Sequence, residues 1–124
     1  MQSPARISEL SFSCMPELFV PLRFFLTAPL FGILASIVLL VYADSIFASR
    51  WTAEIFALTH LLTVGFMLMS MSGALFQFIP IISGFAIPNS KIISPFIHVF
   101  LTLGTLFLVA GFILVKAVFF QLAF

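Results

Sequence analysis

A chain of 124 residues that is 63% hydrophobic and 7% charged, with a mean hydropathy of +1.31, cannot cover the surface of a water-soluble domain, so most of its side chains need lipid as their solvent. A formal net charge of +1 without any cluster of Lys and Arg excludes nucleic acid as a partner. The single cysteine, Cys14, excludes an internal disulfide, argues against a cysteine-based metal site, and reads as a small apolar residue in a tail.

Residues 1–22 read as an N-terminal polar tail, and residues 23–124 as a membrane domain. Glu9, Pro16, Glu17 and Pro21 interrupt any apolar core in the tail, so it does not resemble a cleavable signal peptide and the first membrane helix is expected to serve as an uncleaved one. The charged residues are Arg6, Glu9, Glu17, Arg23, Asp44, Arg50, Glu54, Lys91 and Lys116, and they bracket three charge-free runs. The first run, 24–43, is about twenty residues, enough at 1.5 Å per residue to cross a hydrocarbon core of roughly 30 Å. Tyr42 and Trp51 flank the following loop, as expected for rings at headgroup level. Glu54 reads as a solvated interfacial charge, within reach of Arg50 if the next helix starts early.

The second run, 55–79, is long enough to span with tilt, and Pro80, Gly84, Pro88 and Asn89 are expected to break it. The third, 92–115, carries Pro95 near its first turn, where proline is tolerated. Strands of a membrane barrel would be about ten residues long and alternate apolar with polar, and these continuous runs do neither. The pattern therefore predicts an all-α membrane protein of about three transmembrane helices forming a partial helical bundle. Arg6, Arg23 and Lys91 on one side outnumber Arg50 and Lys116 on the other, which places the N-terminus in the cytoplasm.

Polar and small residues on the second span recur at alternating steps of three and four: His60, Thr63, Met67, Ser70, Ala74 and Gln77. On a regular α-helix they share one face, which is expected to meet another helix or a bound group. Two readings stay open. In one, these side chains make interhelical hydrogen bonds and small-residue contacts, helped by Ala28, Gly32 and Ser36 on the first helix and by Gly104 and Gly111 on the third. In the other, the His60 imidazole is an axial ligand to haem iron. His98, the only other histidine, enters its span from the opposite face, on the order of 15 Å from His60 along the bilayer normal, so the two cannot share one iron. Met67, Met69 and Met71, at steps of two, spread around a helix instead of forming a soft copper site.

The segment from His60 to Pro80, with Gly73-Ala74 between them, resembles the second membrane helix of haem-copper oxidase subunit I, with the nitric-oxide reductase branch most similar. The resemblance implies that His60 binds a low-spin haem near the outer face. Over Pro21 to Phe112 the chain is similar to the opening helices of such a protein. The family's second low-spin ligand, copper ligands and active-site haem ligand lie far downstream in about twelve helices, so the resemblance implies no independent oxygen or nitric oxide reduction here. It implies instead a component of a bacterial inner membrane whose further helices come from another chain or from a homo-oligomer. The alternative is a small structural or interaction subunit with no cofactor. No phosphate-binding loop, paired carboxylates or nucleophile triad points to other enzyme chemistry.

Overall fold

A computed structural model describes residues 17–122, with side chains to residue 115. Among these, all regular structure is helical: α1 (Phe19–Val41), α2 (Ala43–Ala48), α3 (Ala53–Ser83) and α4 (Ser90–Leu122). Helices α1 and α3, together with α4 as far as Val115, are each long and apolar enough to cross a bilayer. The chain is an integral membrane protein with three spanning helices; the short α2 lies in the first connection. The tail residues 1–16, including Cys14, lie outside the described residues.

Every span is longer than the charge-free run that announces it. Helix α1 starts at Phe19 because Arg23 fits within it, its Nε donating to the Phe19 carbonyl at 3.2 Å, while Pro21 sits in the first turn, where no N–H is needed. Thr52 caps α3, its hydroxyl accepting from the Ile55 N–H at 3.4 Å. Pro80 does not break this helix, in contrast to the sequence expectation. It sits fully buried within α3 and forgoes the one backbone bond that its missing N–H would make to the turn before, which a membrane helix packed on its neighbours accommodates, and α3 runs on to Ser83. The stop is Gly84, at φ 69°, whose N–H bonds the Pro80 carbonyl at 3.0 Å. Asn89, at φ 52°, then turns the chain into α4, and its carbonyl accepts from the Ile92 and Ile93 N–H groups.

Helix α3 is not a uniform α-helix. Leu61–Leu68 is wound as a π-helix between α segments Ala53–His60 and Met69–Ser83. Helix α1 lies along the π segment and the C-terminal half of α3, whereas the N-terminal half of α3 lies mainly against α4. The approach of α1 is close enough to require glycine twice. A Cβ on Gly65 would fall 2.6 Å from Phe31 Cγ, and one on Gly73 would fall 2.9 Å from Phe24 Cβ and 3.2 Å from the Pro21 carbonyl oxygen. Phe24, Ala28, Phe31 and Ala35 of α1 pack there against Leu61, Met69 and Phe76 of α3.

Candidate functional site

His60 closes the first α segment of α3. Its Nδ1 lies 2.6 Å from the Phe56 carbonyl oxygen, one turn back. A carbonyl only accepts, so Nδ1 carries a proton, and in the neutral ring the lone pair is on Nε2. The ring is half-buried, its centroid 5.3 Å from that of Phe112 on α4, which in turn stacks on Phe56 at 5.8 Å. A histidine anchored through one ring nitrogen to a carbonyl, with the other nitrogen unprotonated beside aromatic surface, has the tautomer that a haem iron requires of an axial donor. His60 therefore fits that group chemically.

His98 is built differently. Thr27 on α1 donates its single hydroxyl proton to the Arg23 carbonyl at 2.8 Å, so toward His98 Nε2, 2.7 Å away, it accepts. The His98 ring also meets the edge of Phe24, centroids 5.4 Å apart. With Ser94 donating to the Val20 carbonyl at 3.3 Å, His98 ties α4 to α1. His60 touches Phe112 on that same helix, and the stretch from residue 98 to residue 112 separates the two histidines by on the order of 20 Å. The structure does not bring them together.

Apart from His60, which meets Phe112 on α4, the alternating polar stripe lies off the packed face of α3. Buried positions on α3 are Glu54, Ala57, Leu61, Gly65, Met69, Gly73, Phe76 and Pro80, whereas Thr63, Met67 and Gln77 are exposed and His60, Ser70 and Ala74 only half-buried. The reason is phase: within the α segment Met69–Ser83, Ser70, Ala74 and Gln77 each follow a buried residue, Met69, Gly73 or Phe76, by one position, about 100° round the helix, and the π segment carries Thr63 and Met67 further from the packed face. The stripe's hydroxyls bond within their own helix, Thr63 Oγ1 to the Thr59 carbonyl and Ser70 Oγ to the Phe66 carbonyl, each at 2.8 Å. On α1 only Ala28 of the Ala28, Gly32 and Ser36 strip is buried; on α4 a Cβ at Gly104 or Gly111 would meet open space. Met69 is fully buried while Met67 and Met71 are exposed, so the methionines do diverge.

Glu54 corrects another expectation. It is 1% exposed, not solvated, because α3 begins at Ala53 and its first turns are pressed against α4. Arg50 stays outside α3, its guanidinium 5.8 Å from the Trp51 ring centroid. No sequence pattern announced this burial: the Thr-x-Glu beginning of a capped helix puts Glu54 in the first turn but does not say which helix that turn meets. Among the described residues no group of three or more His, Cys, Asp or Glu side chains gathers as a metal site.

Comparison with known protein families, curated proteins and solved structures finds no match to this chain.

Proposed function

We propose that the chain is a three-span component of a larger bacterial inner-membrane assembly, resembling the opening helices of a haem-copper oxidase subunit I-like protein, and that His60 is an axial haem ligand there. The observation that carries this reading is the Nδ1–H bond of His60 to the Phe56 carbonyl, which leaves Nε2 as the donor atom on a half-buried face. The His60, Gly73-Ala74 and Pro80 series supports it. Haem, when bound, would supply electron transfer; this chain's own part is to hold Nε2 in place and to shield it with Phe56 and Phe112.

His98 is engaged with Thr27 far from His60, so the second axial donor comes from another polypeptide or a second copy of this chain, and catalysis does not belong to this chain alone. The N-terminus is cytoplasmic in this reading, by the balance of Arg and Lys.

The test is a reduced-minus-oxidised absorption spectrum of the chain purified in mild detergent from haem-replete bacterial membranes, beside His60→Ala and His98→Ala. A low-spin haem band lost only in His60→Ala is the expected result. Absence of haem from the wild-type protein, or a band indifferent to His60→Ala, would overturn the assignment.

A second reading is favoured by the outward faces of α3 and α4. Thr63, Ser70, Gly104 and Gly111 present small or internally bonded side chains to the bilayer, as expected of a structural subunit that packs against further helices without a cofactor. In that case His60→Leu changes packing modestly and no colour.

A further inference from the structure

We infer that α3 stores one surplus residue in its π segment, and that this segment is a labile joint between the half of the helix that carries His60 and the half that packs on α1. The inference is independent of haem binding. It starts from backbone pairing: a π turn encloses one more residue than an α turn, so a π segment within an α-helix is an insertion held in place. Eight residues of such winding, Leu61–Leu68, exceed the single widened turn that most helices carry.

The buried positions show why the winding persists. From Ala57 to Gly73 they recur at steps of four: Ala57, Leu61, Gly65, Met69 and Gly73. On a uniform α-helix each such step overshoots a full turn by about 40°, so the series would drift around the helix by roughly 160°. Wider π turns undershoot at a step of four and bring the series back toward the core. Leu61 to Met69 is the decisive interval. Eight α-helical residues turn through about 800°, some 80° past two full turns, whereas seven turn through about 700° and return within about 20°. One residue removed between these two buried side chains leaves both facing inward on a regular α-helix.

Two further features fit a joint. The halves have different main partners, α4 for the N-terminal half and α1 for the C-terminal half. Carbonyls before and within the segment receive side-chain hydrogen bonds, Phe56 from His60, Thr59 from Thr63 and Phe66 from Ser70, so these polar groups are satisfied without a neighbouring helix. Phe31 against Gly65 clamps the middle of the segment from the α1 side.

Amide hydrogen exchange on the full chain in lipid nanodiscs, beside variants lacking Thr63 or lacking Leu75, tests the joint. Both deleted residues are exposed, but only Thr63 lies in the π segment. The expected result is exchange about tenfold or more faster at Leu61–Leu68 than at Met69–Phe76 in the wild type. Deleting Thr63 abolishes that difference and keeps the thermal midpoint, while deleting Leu75 lowers the midpoint by turning Phe76 and Pro80 out of the core. Uniform exchange along wild-type α3, or equal losses of midpoint in the two deletions, would overturn the proposal.

Discussion

Gly65 and Gly73 are the residues on which the packing of α1 against α3 turns. The atoms a Gly65 side chain would strike belong to the buried Phe31, so Gly65→Ala forces a shift of the ring or of the helix and is expected to cost about 1–3 kcal/mol, read as a lowered midpoint on titration with denaturing detergent. Gly104→Ala and Gly111→Ala meet nothing within 4 Å and should leave that midpoint unchanged or slightly raised. The Thr27 and His98 pair is a smaller contribution. A double-mutant cycle with Thr27→Val and His98→Leu is expected to give a coupling of about 0.6 kcal/mol, within the range measured for hydrogen bonds between membrane helices, and a coupling of zero would mean that the α1–α4 contact rests on apolar packing alone.

At the scale of the element, the three spans were legible because an uninterrupted apolar run has few fates other than crossing a bilayer, and charges mark where it ends. Their exact limits were less so: Arg23 and Pro80 read as boundaries, yet a helix accommodates an arginine that bonds its own backbone and a proline in its last turns. The face presented by α3 was not legible. Periodicity groups residues on one face without saying which face packs: Ser70, Ala74 and Gln77 fall about 100° from the buried Met69, Gly73 and Phe76 within a regular α segment, and the π segment breaks the 3.6-residue period itself between His60 and Met69. Glu54 was misread for a related reason: its burial depends on α4, a partner distant in sequence, and not on the residues around it. The His60 tautomer, by contrast, is set by a bond one turn back and is local.

For the whole molecule, the two histidines mark two different kinds of polar contact. One ties helices of this chain together, and the other is held by its own helix beside aromatic surface. Between the C-terminal half of α3 and the start of α4 runs an apolar groove of about 290 Å³ lined by Ser72, Leu75, Phe76, Ile79, Ile87 and Ile97.

The spans also differ in length. Helix α1 has 23 residues and α3 has 31, which at 1.5 Å per residue amount to roughly 35 Å and 46 Å. A hydrocarbon slab of about 30 Å matches the first with little adjustment and is too thin for the second, which must lean or carry its ends into the headgroups. The protein therefore has a built-in sensitivity to hydrophobic mismatch that spares α1 and falls on α3, and on α4, whose 26 residues as far as Val115 make roughly 39 Å. In oriented bilayers of lengthening acyl chain, the inclination of α3 measured by solid-state NMR should fall steadily while that of α1 changes little; a parallel change in both would mean that the bundle responds as one rigid body.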